Sequence, residues 1–471
     1  MQYISTRGQA PPLDFEHVTL AGLAPDGGLF VPDAWPALPG GAVRALAGKP
    51  YAAAAAEVLG PFTAPSLARA ELDRLLSDSY AAFEHKAVTP LVQIDEGLWL
   101  LELFHGPTLA FKDVALQFLG RLFDHILSRR GERVTVIGAT SGDTGSAAIE
   151  ACRDRESIDI FILHPEGRTS EVQRRQMTTV DSANVHNIAI DGTFDDCQNL
   201  VKAMFGDAHF REDLALTAVN SINWARIVAQ SVYYAVAAAA LGAPERPAAF
   251  AVPTGNFGNI YAAYAARALG VPIDKLIVGT NKNDILHRFF TTGAMTTKGV
   301  EPTLSPSMDI QISSNFERLL FDMLDRDAGQ LAGIMAGFKQ HGHFALSEAQ
   351  RAKVAGLFAS ERADDAQTLE SIARVYQDTG MLIDPHTAVG VHAARQHMPV
   401  DPATPAIALA CAHPAKFPDA VERATGIRPA LPPRLADLFD LPERVSRLPN
   451  ELARVQSFIR SRSRAVKEQH A

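Results

Sequence analysis

The chain has 471 residues, 47% of them hydrophobic and 21% charged, the balance of a globular enzyme and not of a disordered or fibrous chain. Its 44 Lys and Arg against 53 Asp and Glu give a net charge of −9, which leaves no basic footprint for nucleic acid. Cys152, Cys197 and Cys411 lie too far apart for a disulfide framework or a zinc spacing, so no metal is expected. The length exceeds one ordinary domain, and two or three are expected. The N-terminal Met1–Arg7 does not read as a signal peptide, and no apolar run is long enough for a bilayer. The expectation is a cytoplasmic protein with neither a membrane nor a nucleic-acid partner.

Residues 1–90 mix Pro/Gly-rich loops with Ala-rich helical stretches at 51–59 and 66–79. They carry no catalytic set, and read as an accessory layer with turn chemistry at Pro25-Asp-Gly-Gly28. An apolar run at 98–104 then meets His105-Gly-Pro-Thr-Leu-Ala-Phe-Lys-Asp113, with Gly106-Pro107 as the turn. Val114, Phe118, Leu122 and Ile126 follow at helical spacing, so a helix is expected from about Lys112 to Arg130, capped by Gly131. Segments 134–137, 158–163, 184–190, 249–252, 276–278 and 406–410 read as buried strands. Helical patterns separate them, including a long Ala-rich helix at 222–241, and this alternation argues for parallel α/β sheets. Ser170 with Gln173, and Ser347 with Gln350, open helices as capping boxes. Residues 281–306 read as a Thr/Gly/Pro-rich loop region with little regular structure, facing an active site. Helices are expected at 316–323, 328–339 and 369–379, and the tail at 451–467 as a basic amphipathic helix with a solvated face.

Four pieces of this chain carry chemistry. Lys112 falls in the first turn of its helix, where the positive end of the helix dipole disfavours an ammonium. Leu109, Ala110 and Phe111 beside it would favour the neutral amine if it is buried, making a nucleophile towards aldehydes. A surface lysine with a snorkelling stem is the competing reading of that stretch by itself. Thr140-Ser-Gly-Asp-Thr-Gly-Ser146 follows a strand and opens a helix, where backbone N–H groups and the dipole hold an anion. It is neither a dinucleotide fingerprint nor a P-loop. Pro253-Thr-Gly-Asn-Phe-Gly-Asn259 has the same context, with glycines that let a phosphate approach the backbone. Each turn alone is as readily a plain strand–helix connection. Asn220-Ser-Ile-Asn-Trp-Ala-Arg226 offers amide and hydroxyl groups before a helix-start arginine, suited to a phosphate or carboxylate, or else an exposed capping cluster. A phosphate cradle with a nucleophilic lysine points to pyridoxal 5'-phosphate. The additional anion sites point to a substrate bearing both carboxylate and phosphate.

The ordered set formed by His105–Asp113, Ser141–Gly145, Gly255–Asn259 and Cys411-Ala-His-Pro-Ala-Lys-Phe417 resembles the threonine synthase family in its longer bacterial and fungal form. Ser5-Thr-Arg-Gly8, the 22–32 segment and Ser314-Asn-Phe-Glu-Arg318 are similar to that family too, and the likeness runs from residue 2 to about 420. The resemblance implies a tryptophan-synthase β-like fold: two parallel-sheet three-layer α/β domains with the cofactor between them, plus a mostly helical N-terminal layer. On that basis residues 1–90 form the accessory domain, 91–134 with 226–471 a large cofactor-binding domain, and 135–225 a small carboxylate-binding domain. Lys112 would tether the cofactor as a Schiff base and shuttle protons, while Gly255, Asn256, Phe257 and Gly258 cradle its phosphate. Ser141, Gly142, Thr144 and Gly145 would hold the substrate carboxylate, with Asp143 near the cofactor's phenolic oxygen. Asn220, Ser221, Arg226 and Asn259 match positions that grip the substrate phosphate. Cys411 stands where a threonine hydroxyl commonly faces the pyridine nitrogen, and a thiol is a poorer hydrogen-bond partner. The implied reaction turns O-phospho-L-homoserine and water into L-threonine and phosphate, by a monomer or homodimer. The rival functions are a serine/threonine dehydratase-type lyase, which needs no second phosphate site, and an inactive phosphate-binding relative.

Overall fold

The computed structural model describes residues 1–218 and 221–465. The chain gathers into two compact units. The larger is Met1–Val18, Leu23–Phe111 and Ser221–Pro429; the smaller is Thr19–Gly22, Lys112–Asn220 and Ala430–Ala471.

The larger unit is built on a six-stranded sheet in the order Phe358–Arg362, Ile273–Thr280, Ala248–Pro253, Ala406–Ala410, Leu98–Glu102, Leu91–Asp95. All ladders are parallel except the last, where two adjacent strands close a hairpin across Glu96-Gly97. Ala248–Pro253 and Ala406–Ala410 are buried throughout, as expected of central strands covered on both faces. Leu98, Leu100, Ala251, Ile277 and Ala408 pack against Ile372 and Val375 of helix Asp365–Thr379, and against Ala388 and Val391 of helix Pro385–Gln396. The N-terminal residues belong to this unit and are stitched into it. Strand Tyr3–Ser5 pairs antiparallel with Phe30–Pro32, the Tyr3 hydroxyl donates to Phe62 O at 2.6 Å, and Arg7 bonds Glu317 at 3.0 Å.

The smaller unit holds a five-stranded parallel sheet in the order Ser446–Pro449, Val185–Asp191, Ile158–Pro165, Val134–Ala139, Leu216–Thr217. Helices Lys112–Arg130 and Asp143–Cys152 pack together so closely that a Cβ on Gly120 would lie 2.2 Å from Ala151 O. Gly131 adopts φ +66 after the first of them, the conformation a C-terminal glycine supplies.

Two expectations are corrected. Residues 281–306 hold helix Ile285–Thr292, whose Ile285, Leu286 and Phe289 are buried, and strand Ala294–Thr296, which pairs with His343–Ala345. The tail helix Leu452–Arg460 is not merely a solvated face, because Val455 and Ile459 are fully buried beside Ile188, Leu200 and Phe210. Its strand Ser446–Pro449 extends the smaller sheet, so the compact unit around residues 135–218 also takes in helix Lys112–Arg130 and the tail from 430. Pairing partners distant in sequence decide such membership, and no local pattern records them.

Candidate active site

In the smaller unit, Lys112 begins its helix and is 7% exposed, with Nζ 3.4 Å from Asp143 Oδ2. The amine is buried, the condition on which its reading as a nucleophile depends. The surroundings are not solely apolar, since a carboxylate stands at the amine. Asp143 is itself placed by Gln173, whose Nε2 donates to Oδ1 at 2.8 Å. Gln173 was legible only as a capping residue. Its backbone N–H bonds Ser170 Oγ at 3.3 Å and its Oε1 accepts from that hydroxyl at 2.9 Å, not from the Ser170 backbone N–H of a full box, while Nε2 reaches Asp143.

The turn before Asp143 is organised by Thr140, whose buried Oγ1 accepts from both Gly142 N and Gly145 N at 2.9 Å. Those two amides are therefore spent. Gly142 and Gly145 serve by being small: a Cβ on either would lie 2.4 Å from Gln173 or Thr140 atoms, and Gly142 has φ +149. Ser141 is exposed and Thr144 half-buried at the start of helix Asp143–Cys152, where the first N–H groups lack intrahelical acceptors.

In the larger unit, strand Ala248–Pro253 leads into the turn Thr254–Phe257 and helix Gly258–Ala268. The turn's carbonyls are drawn away by one segment: Ser313 Oγ donates to Gly255 O at 2.7 Å, and Asn315 N and Nδ2 donate to Asn256 O at 3.1 and 2.9 Å. This leaves the turn's concave side to N–H groups at a helix N-terminus, the arrangement that receives phosphate. Phe257 holds φ +61, strained for a side chain with a Cβ, and its ring is locked against Phe316 at 5.1 Å. A Cβ on Gly255 would crowd Ser307 O and Met308 Cα at 3.2 Å, and one on Gly258 would crowd Asn315 Nδ2 at 3.2 Å. Asn315 Nδ2 also donates to Ser221 O at 3.1 Å, which brings the Ser221 segment to the same turn. Sequence reasoning assigned no role to Ser313 or Asn315, although the 314–318 string was noticed.

Arg226 sits in the first turn of helix Trp224–Ala240 and is 4% exposed. Burial lowers its pKa to about 10, with the nearby Tyr233 phenol opposing. Among the described residues its Nη1 has no hydrogen-bond partner, and neither has the buried Nδ2 of Asn259. Two buried donors left open in one unit are what an absent anion would satisfy. Arg318 makes the contrast. It is equally buried and lowered to about 10, yet its guanidinium donates to Phe30 O at 3.0 Å, Ile222 O at 2.6 Å and Asn315 Oδ1. That arginine is structural, and it ties the N-terminal layer to the turn through Asn315. Asn220 lies outside the described residues.

Cys411 follows strand Ala406–Ala410 and is 5% exposed. Its N–H donates to Thr387 Oγ1 at 3.2 Å, and Thr387 in turn donates to the buried Asp384 at 2.6 Å. Its carbonyl accepts from Phe111 N at 2.8 Å, and Lys416 Nζ bonds Thr108 O at 2.7 Å. The 411–416 stretch thus clamps the loop that delivers the chain to Lys112.

Three family models cover most of the sequence: Threonine synthase N terminus over residues 2–80, Pyridoxal-phosphate dependent enzyme over 82–337, and Threonine synthase, C-terminal over 387–459. The chain is 55% identical to a threonine synthase of Pseudomonas aeruginosa over 460 residues, 98% of each chain. It is 43% identical to the one from Saccharomyces cerevisiae, over 90% of this chain and 88% of that protein. Among solved structures it is similar to a PLP-bound threonine synthase from Brucella melitensis, with TM-score 0.97 and 52% identity over 99% of this chain and 100% of that one. A yeast threonine synthase follows at TM-score 0.93 and 39% identity, over 98% of both chains. Family models along most of the sequence and relatives this similar over nearly the full length of both chains show that the chain belongs to the threonine synthase family of pyridoxal-phosphate-dependent enzymes.

Proposed function

We propose that this protein converts O-phospho-L-homoserine and water to L-threonine and phosphate with pyridoxal 5'-phosphate as cofactor. The observation that carries the substrate is the open Nη1 of buried Arg226, a cation in an apolar place beside a helix start. The cofactor fits the residues present, because the Gly255 and Asn256 carbonyls are engaged by Ser313 and Asn315, and the N–H groups at the start of helix Gly258–Ala268 suit a phosphate. When bound, pyridoxal phosphate supplies an aldehyde for an amine and an electron sink at the substrate Cα.

Lys112 Nζ is the amine that tethers the cofactor and the base that takes the Cα proton. Asp143 holds that amine in place, and Gln173 holds Asp143. Ser141 and Thr144 offer hydroxyls and helix-start amides to the substrate carboxylate, on a turn whose shape Thr140, Gly142 and Gly145 fix. Arg226, Asn259 and Ser221 hold the phosphate on Cγ and neutralise its charge as it departs. The net exchange removes oxygen from Cγ as phosphate and adds oxygen from water at Cβ. Cys411 would be the residue offered to the cofactor's ring nitrogen, where a thiol is a weak, neutral hydrogen-bond partner. A cytoplasmic monomer or homodimer is the accompanying assignment. The test is direct: incubate the reconstituted protein with phosphohomoserine and assay both phosphate and threonine. Release of phosphate without threonine, or of neither, overturns the reading.

A further inference from the structure

Helix Trp224–Ala240 carries, two turns beyond Arg226, the adjacent phenols Tyr233 and Tyr234. Both are fully buried, and their rings touch at a centroid distance of 4.8 Å. Neighbouring residues on a helix normally diverge. These two converge on one acceptor, because each hydroxyl donates to Oδ1 of Asn259, Tyr234 at 2.7 Å. Tyr234 also donates to Asn259 O at 3.1 Å.

An amide oxygen has two lone pairs, and here both are taken. Turning the amide over would make both phenol oxygens acceptors of NH2 and leave Asn259 O as the remaining acceptor for their protons, so the orientation with Oδ1 facing both hydroxyls is favoured. Its Nδ2 is therefore fixed facing the other way, buried and without a partner among the described residues. Tyr233 is near enough to Arg226 to oppose the lowering of its pKa, and both phenols lie within electrostatic reach of Cys411. The two open donors, Asn259 Nδ2 and Arg226 Nη1, thus share a neighbour.

We propose that Tyr233 and Tyr234 are positioning residues that lock the Asn259 amide, so that Nδ2 acts together with Arg226 as a donor to a phosphate monoester. The inference rests on the reading that this chain binds a phosphorylated substrate and a phosphorylated cofactor. Either phosphate has the required chemistry, and the substrate's is the one assigned to Asn259 above.

The test uses the holoenzyme with Tyr233→Phe, Tyr234→Phe and the double variant, each retaining the buried rings. Calorimetry measures the affinity for inorganic phosphate, and an absorbance titration of the apoenzymes measures the affinity for pyridoxal phosphate. One phenol suffices to hold the amide, so each single variant should bind within about threefold of wild type. In the double variant the amide can flip and present its oxygen to the anion, so affinity should fall about tenfold or more, beyond the product of the single losses. KM for phosphohomoserine should rise more than kcat falls. Asn259→Asp, which keeps both phenol contacts but replaces the donor with an oxygen, should lose phosphate affinity at an unchanged melting temperature. Weaker inorganic phosphate binding assigns the lock to the substrate's phosphate, and weaker cofactor binding to the cofactor's; both outcomes support it. Unchanged affinity for both anions in the double variant, or losses that simply multiply, overturns it. A wild type that binds phosphate yet makes no threonine would overturn the proposed reaction and leave the lock standing.

Discussion

Arg226 and Arg318 are buried in the same unit, and the difference in what their guanidiniums touch separates a binding group from a brace. If Arg226 meets the departing phosphate as proposed, its removal forfeits both charge neutralisation and alignment, and Arg226→Ala should cost about 2–4 kcal/mol in kcat/KM for phosphohomoserine. A dehydratase-type enzyme needs no such group, and an unchanged rate in that variant would move the assignment to that class. Lys112 is tested by light absorption. If Lys112 tethers the cofactor as proposed, wild type should keep a visible band through exhaustive dialysis, and Lys112→Ala should lose the band while folding normally by circular dichroism. The sequence identified both of these side chains from their place at helix starts. It gave no sign that Asp143 would be oriented by Gln173, since that bond spans 30 residues and joins two separate helices.

At the scale of elements, legibility followed buried periodicity. Strands such as Ala248–Pro253 and Ala406–Ala410 were readable because they are apolar on both faces, and helix Lys112–Arg130 because its apolar positions recur every three or four residues. Helix Pro385–Gln396 was missed: apart from Val389 and Val391 its buried residues are Pro, Ala, Gly, His and Thr, which carry little hydrophobic contrast. Strand Phe358–Arg362 was missed because only alternate residues are buried at the sheet edge. The turns were legible as glycine patterns, whereas the braces Ser313, Asn315 and Thr140 are ordinary polar residues whose work depends on distant partners. Gly142 offers a check on this description. With φ +149 and a Cβ position 2.4 Å from the Gln173 amide, Gly142→Ala must either distort the turn or displace Gln173 from Asp143. Urea titration of that variant should show a loss of about 2 kcal/mol or more, and substrate carboxylate binding should weaken with it.

Across the whole molecule, the sequence pointed to two glycine-rich turns suited to anions but not to which stretches fold together. Residues beyond 430 have few strand signals, yet Ser446–Pro449 completes the smaller sheet and Ile459 fills its core. Ile459→Ala should therefore destabilise the smaller unit by about 2–5 kcal/mol, although the residue lies in a tail that looks dispensable. Two cysteines let that unit be watched separately. Cys152 and Cys197 are both buried within it, and burial raises their thiols from an ordinary 9.0 to about 12 and about 11. A thiol whose folded pKa lies above its unfolded one holds its proton better when folded. Its contribution to stability is complete below pH 9 and is lost as the pH climbs through about 11 and 12. At pH 8 the native thiols should accordingly resist iodoacetamide, being neither ionised nor accessible. Peptide mapping after brief pulses in rising urea should show both becoming alkylated together, at one midpoint, and at lower urea in Ile459→Ala. Labelling of Cys197 well before Cys152 would mean that the tail and its helix partners open independently of the sheet.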